Sequence, residues 1–244
     1  FLLPNENHKD ERILNYVTKI EILKNGDLDI IEEITIIAKG KKIKRGIVRE
    51  FPIKYKDEYG NEINIDILID EISRNDFPEY HLYVKETNDL RRIYIGHEDV
   101  LLPHGEHTYT LKYKLPKMVG FFSDFDEIYY DAIGTGWTLP IDKAKIYVTL
   151  PENIKIIKSI AYTGKHGKND NNYSIKMMNN KVRFDNIHPL APNEGMTIAV
   201  SWPKGFIAGS ENYKQTKNTV SLSRDDIYDD SWAVIIGIDK YKYS

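Results

Sequence analysis

Leu28-Asp29-Ile30-Ile31-Glu32-Glu33-Ile34-Thr35-Ile36-Ile37 is the stretch whose reading decides the fold. Leu28, Ile30, Ile34 and Ile36 lie in phase on one side of an extended segment, because successive side chains of a strand point to opposite faces. Ile63, Ile65, Ile67 and Ile69 repeat the pattern, with Glu62, Asn64 and Asp66 between them. Tyr109, Leu111, Tyr113 and Leu115 repeat it again, as do Ile146, Val148 and Leu150. One packed and one wet face per segment is the mark of antiparallel sheets, since strands of parallel sheets are covered on both sides. Asn25-Gly26, ahead of the first row, reads as a tight hairpin with positive φ at both central positions. Tyr59-Gly60-Asn61 and Asn179-Asn180 read as further turns. Turn spacing accommodates about ten to twelve strands. The expected fold is all-β: a large antiparallel β-sandwich over residues 13–207, divided into two lobes near Phe121–Asp131. One helical turn is expected at Asp124–Tyr130.

Composition narrows the function classes. Apolar residues make up 41% of the 244-residue chain, enough for a real core. The formal net charge of −3 gives no global basic field, so nucleic acid is not an expected partner. Seventeen tyrosines against eight phenylalanines favour half-buried strands. The absence of cysteine removes disulfides, thiolate nucleophiles and Cys-type zinc sites from this chain. No apolar run approaches the length of a membrane-spanning helix. Phe1-Leu2-Leu3-Pro4 reads as the trailing edge of a signal peptide's apolar region.

Four parts are expected along the chain: an N-terminal tail (1–12), the β-sandwich (13–207), a linker (208–231) and a trailing strand that opens another domain (232–244). The linker is polar and without periodicity. Trp232-Ala233-Val234-Ile235-Ile236-Gly237-Ile238 is continuously apolar, as in a strand buried on both faces, and unlike the alternating strands before it.

Four segments carry a resemblance. They are Asn25-Gly26-Asp27-Leu28 leading into Ile30-Ile31-Glu32, Gly46-Ile47-Val48-Arg49-Glu50-Phe51-Pro52, Asp126-Glu127-Ile128-Tyr129-Tyr130 with Gly134-Thr135-Gly136-Trp137 and Leu139-Pro140, and Pro192–Thr197 running into Val200-Ser201-Trp202-Pro203-Lys204-Gly205. In order and spacing they resemble the domain-of-unknown-function family 2207 of predicted membrane proteins, across about residues 13–207. The resemblance implies a secretion signal and an extracytoplasmic β-domain. Typical members continue into transmembrane helices, which these residues do not contain. It implies no catalytic residues. The tail, Trp232 to Tyr241, looks like the first strand of caspase-like (metacaspase-type) peptidases, whose catalytic His and Cys would lie further downstream. The other reading of the tail is a strand that docks on the preceding domain.

Several constellations have chemistry to offer. Glu32 is in phase with the isoleucine row, so it is expected to be buried and to need a partner. Arg49 is the candidate, its planar fork matching a carboxylate. The pair reads as a structural ion pair that sets sheet register, with a polar ligand pocket as the alternative. Asp124, Asp126, Glu127 and Asp131 form an acidic cluster, and with Tyr129, Tyr130 and Trp137 nearby they suggest a sugar- or peptide-binding platform. The candidate ligand-binding residues are Tyr129, Tyr130, Trp137, Asp126 and Glu127; the plainer reading is a solvated loop over packed aromatics. His97, His104 and His107 read as a hairpin tip before a metal site, and no metal or cofactor is expected. Lys39, Lys41, Lys42, Lys44 and Arg45 form a basic run suited to a solvated loop or to anionic headgroups.

The expected function is a non-catalytic extracytoplasmic binding, interaction or sensor module, secreted or at the cell surface, that positions an effector domain placed after it. Its partner would be a protein or glycan. The alternatives are the non-catalytic front of a caspase-like cysteine peptidase and a hydrolase that uses the acidic cluster near Asp126.

Overall fold

The computed structural model describes residues 10–56, 62–87 and 90–210. Among them seventeen strands follow in chain order: β1 (Arg12–Ile22), β2 (Leu28–Ala38), β3 (Ile47–Pro52), β4 (Lys54–Lys56), β5 (Glu62–Asn64), β6 (Leu68–Arg74), β7 (Phe77–Pro78), β8 (His81–Thr87), β9 (Leu90–Ile95), β10 (Gly105–Leu115), β11 (Gly120–Phe121), β12 (Phe125–Ile133), β13 (Ile141–Thr149), β14 (Lys158–Lys165), β15 (Tyr173–Met178), β16 (Lys181–Asn186) and β17 (Glu194–Pro203). The surplus over the expected count comes from pieces such as β4, β5, β7 and β11, too short to show a period.

The isoleucine row at 28–37 forms β2. Leu28, Ile30, Glu32, Ile34, Ile36 and Ala38 are all fully buried, and the residues between them are half-buried. β2 lies inside an eight-stranded sheet ordered β15-β16-β13-β1-β2-β10-β6-β7. Its neighbour β10 buries Tyr109, Leu111, Tyr113 and Leu115 on the same side. Burying each large side chain of these rows contributes about 1.5–3 kcal/mol, which fixes the register: a one-residue slip would turn every row to water. The outer face carries exposed ion pairs, Lys19–Glu33, Lys112–Glu71 and Lys114–Asp70.

One pairing departs from the antiparallel expectation. β1 and β13 run parallel, from Ile13↔Ile141 to Glu21↔Thr149. β13 returns to this sheet only after the chain has built β12 in the other layer. A long excursion frees the returning strand from the direction that a hairpin imposes.

The second layer holds the sheets β11-β12-β17-β14 and β3-β9-β8. Contacts across the layers are specific: Thr18 Oγ1 donates to the Ala132 carbonyl at 3.1 Å, and Phe51 meets Tyr113 edge to face at 5.1 Å. One continuous apolar cluster runs from Ile13 to Ile207 and takes residues on both sides of Phe121–Asp131. The interior is therefore not divided into two lobes there. Asp124–Tyr130 is not a helical turn either, because β12 is a strand covered on both faces and so shows no alternation.

The Asn25-Gly26 hairpin joins β1 to β2 with a longer loop than expected. Leu23 N–H bonds the Asp27 carbonyl, and only Gly26 of the pair takes a positive φ, 85°. Asn25 instead accepts a hydrogen bond from Asp27 N–H through its side chain. The isoleucine row at 63–69 is shared between β5, a connecting piece with buried Ile65 and Ile67, and β6. Ordered packing also reaches into both expected flanks. Glu11 is buried and Arg12 begins β1, while Ala208 N–H bonds the Lys24 carbonyl and Ser210 is buried. The Tyr59-Gly60-Asn61 turn, Phe1–Pro4 and the 232–244 segment lie outside the described residues.

Candidate binding cavity above a buried ion pair

Glu32 reaches the interior because it occupies an inward position of β2, and an unpaired carboxylate there would be costly. Arg49, on an inward position of β3 in the opposite layer, meets it. Arg49 Nη2 lies 2.7 Å from Glu32 Oε1, and Arg49 Nε lies 2.9 Å from Oε2. Two phenols complete the carboxylate's shell: Tyr113 donates to Oε1 at 2.7 Å and Tyr16 to Oε2 at 2.9 Å. The Tyr113 proton is thereby used, so the 2.9 Å contact between the Tyr113 and Tyr130 hydroxyls has Tyr130 as donor. Arg49 also donates from Nη1 to the Glu50 carbonyl and lies 4.4 Å over the Phe51 ring.

Burial pushes the phenols of Tyr16, Tyr113 and Tyr130 well above their ordinary range, and the Glu32 charge pushes in the same direction. For Arg49, burial acts to lower its pKa, but Glu32 and the tyrosines outweigh it and hold the guanidinium charged. Four donors occupy the Glu32 oxygens, so this carboxylate has no capacity left to bind a ligand or to act as a base. It anchors one layer to the other.

A cavity of about 340 Å³ opens beside this network, within the range of small-ligand sites. Phe51, Ile67, Leu115 and Met118 form its apolar wall, and Arg49, Tyr130, Asp131 and His166 line its polar end. The Tyr130 hydroxyl gives its proton to Tyr113 and so faces the cavity as an acceptor. Burial raises the carboxyl of half-buried Asp131 above its usual range, against the pull of the Thr197 hydroxyl that donates to it and of nearby His166 and Arg49.

The five residues expected to form one platform do not converge. Tyr130 lines the cavity, whereas Tyr129, its neighbour on β12, points to the other face and lies 6.4 Å from the Tyr162 ring. Trp137 packs edge to face on Tyr16 at 5.7 Å and lines a separate cleft with Ile43, Val48 and Tyr94. Asp126 is fully buried, accepting from Ser210 Oγ at 2.7 Å and Lys204 Nζ at 3.4 Å. Glu127 is buried as well, and neither carboxylate lines the cavity. An open aromatic platform is ruled out by this burial. Asp126 does sit in an environment that raises its carboxyl, through burial, against Ser210 and Lys204.

The histidines are used locally. His107 is buried with Nε2 2.7 Å from the Pro103 carbonyl, and His97 Nδ1 accepts from Asp99 N–H at 3.1 Å. The basic run is a loop around Glu11. The backbone N–H groups of Lys39, Lys41, Lys42 and Ile43 all donate to the Glu11 carboxylate. Burial alone would raise the Glu11 carboxyl; these four donors outweigh it and leave the group below its ordinary range.

Sequence reasoning missed Tyr16, Tyr113 and Met118 as parts of this region. A signal for Tyr113 is present: a hydroxyl on a buried row must find a partner, and Glu32 is the in-phase carboxylate on the adjacent strand. The same signal fails at Tyr109, whose buried hydroxyl has no hydrogen-bond partner among the described residues.

Fold and interior together define a two-layer, mixed β-sandwich domain closed around a buried ion pair. The chain belongs to the family described as "Predicted membrane protein (DUF2207) N-terminal domain", which it matches over residues 12–202. Among curated proteins it is similar to the uncharacterized protein YciQ of Escherichia coli (strain K12), with 24% identity over 216 residues, 87% of this chain and 33% of YciQ. The chain thus spans about a third of that relative's length. Solved structures with partial likeness include yeast LTA4 hydrolase in complex with bestatin, at TM-score 0.46 and 7% identity, covering 80% of this chain and 29% of that one. Another is an M1 zinc metallopeptidase mutant from Deinococcus radiodurans, at TM-score 0.42 and 10% identity, covering 78% and 42%. Neither likeness bears on what this chain does. Among the described residues no helix is long and apolar enough to cross a membrane.

Proposed function

We propose that this domain is a non-catalytic, extracytoplasmic binding module that holds a small, largely apolar group of a protein or glycan partner in the cavity beside Arg49 and Tyr130. In this reading ligand occupancy is passed to whatever segment of the parent protein follows. The observation that carries it is the cavity itself: an apolar wall with a few convergent polar groups, backed by an ion pair that locks the two layers together. The saturation of Glu32 and the enclosure of Asp126 support a binding role over an acid–base one, since each carboxylate already has partners. Membership of a predicted membrane protein family supports placement at a membrane, and the extracytoplasmic side is part of the proposal.

Peptide and glycan arrays probed with the purified chain test it. The expected result is a reproducible hit that is lost in Ile67→Trp, which fills the cavity, while the variant keeps its circular dichroism spectrum. Hits unchanged by Ile67→Trp, or silence on both arrays, would overturn the reading.

A further inference from the structure

A second space lies on the outer side of the sheet that carries Arg49. Val48 pairs with Tyr94 and Glu50 with Arg92 across β3 and β9, and the alternation that sends Arg49 and Phe51 inward turns these four side chains outward. The stretch 136–139 lies against this face. Gly136 comes so close that a Cβ there would stand 2.7 Å from Glu50 Oε2, and Trp137 lines the space beside it. The stretch is pinned at two points. Asn193 N–H bonds the Trp137 carbonyl at 2.8 Å, and Lys42 Nζ donates to the Thr138 carbonyl at 3.4 Å. Between stretch and sheet is a cleft of about 330 Å³. Val48 and Tyr94 are 38% and 40% exposed along it, and the apolar rung continues onto Leu82 of β8.

The polar groups of the cleft narrow what it can hold. Arg92 Nε donates to Glu50 Oε1 at 2.6 Å, which leaves the terminal amino groups of Arg92 and Glu50 Oε2 without a hydrogen-bond partner among the described residues. A donor and an acceptor therefore stand side by side, and their charges cancel. An anionic guest would meet Glu50, and an ammonium guest would meet Arg92 and Lys42. An uncharged guest fits if it accepts and donates through neighbouring atoms. A peptide unit is a poor match, because its N–H and C=O point in opposite directions across a trans bond. Adjacent hydroxyls of a sugar do both from one side, and the C–H face of the same ring is apolar, as Tyr94 and Val48 require.

We propose that this cleft binds an uncharged pyranose ring of a glycan, with Arg92 and Glu50 taking a pair of adjacent hydroxyls and Tyr94 meeting the ring's C–H face. The inference is independent of the cavity reading: only Glu50 and Gly136 line both spaces, and Ile67 lines the cavity alone.

The purified chain on an array of neutral and acidic glycans, and on a peptide array, tests it. The expected result is a hit on a neutral glycan. The Kd for that glycan, measured by calorimetry, should rise at least about tenfold in Arg92→Leu, given the worth of a hydrogen bond to a charged group, and should rise in Tyr94→Ala too. Tyr94→Phe, which keeps the ring, and Ile67→Trp, which fills only the cavity, should bind as the parent does. All four variants should keep the parent's circular dichroism spectrum. Silence on neutral glycans, hits confined to acidic glycans or peptides, or a neutral hit that survives both Tyr94→Ala and Arg92→Leu would overturn the proposal. A neutral hit lost in Ile67→Trp but kept in Tyr94→Ala would also overturn it, and would leave the cavity as the glycan site.

Discussion

Replacing Arg49 with methionine would leave Glu32 charged in a dry interior with only two phenols for company. Breaking a buried pair on one side costs about 3–5 kcal/mol. Glu32→Leu strands the guanidinium and is expected to cost at least as much, so two independent effects would sum to about 6–10 kcal/mol. The double variant removes both charges together. It leaves the Tyr16 and Tyr113 hydroxyls without their carboxylate acceptor, at about 1–3 kcal/mol each, and Tyr113 still has Tyr130. The double variant should therefore be more stable than the sum of the singles by about 3 kcal/mol or more. Urea titration followed by tryptophan fluorescence measures this, since Trp137 and Trp202 are both buried reporters. If a single variant does not fold, a milder cycle of Tyr16→Phe with Glu32→Gln probes the same carboxylate. Losses that add to within about 0.5 kcal/mol would refute the claim that one coupled network joins the layers.

Three further outcomes follow from the same structure. Glu11 is held below its ordinary value of 4.5, so its stabilising contribution is present above that pH and is lost as pH falls through the lower folded value; Glu11→Gln should lower stability at pH 7 by about 2 kcal/mol, with the difference vanishing in acid titrations. Asp131 behaves in the opposite sense: its folded pKa is raised above 3.8, so the folded state binds the extra proton and the group costs stability as pH rises through that window. Asp131→Asn, which can still accept from Thr197, should unfold at a higher temperature than the parent at pH 7 and lose that advantage below pH 3.8. Gly46 has φ 147° and a Cβ there would lie 1.8 Å from the Ile95 carbonyl oxygen, so Gly46→Ala should detach β3 from β9, visible as lost protection of the Arg49 and Phe51 amides in hydrogen exchange.

The legible part of the fold was the part with one wet face. β2 and β10 announce themselves by period two, and the same phase argument puts Glu32 inside and demands a cation for it. β12 shows the limit. Covered on both sides, it has no alternation, and its acidic and aromatic residues read equally well as a turn or a surface platform. The parallel β1–β13 pair was also out of reach, since no local signal records which direction a strand takes when it returns after more than a hundred residues. The candidate site was half legible for a related reason. Glu32 and Arg49 lie 17 positions apart in adjoining motifs, but Tyr113 is 81 positions from Glu32 and Ser210 is 84 from Asp126. Such partners are set by how the layers stack, which the period of a single strand does not encode.

The cavity is where this domain is proposed to meet its ligand, and chemical-shift mapping tests that most directly. Titrating the strongest array hit into isotope-labelled protein should perturb the methyls of Ile67, Leu115 and Met118 and the amides around Tyr130 and Gly134. Perturbations gathered instead on the outer face of the large sheet, around Lys19, Asp29, Tyr147 and Lys181, would contradict it.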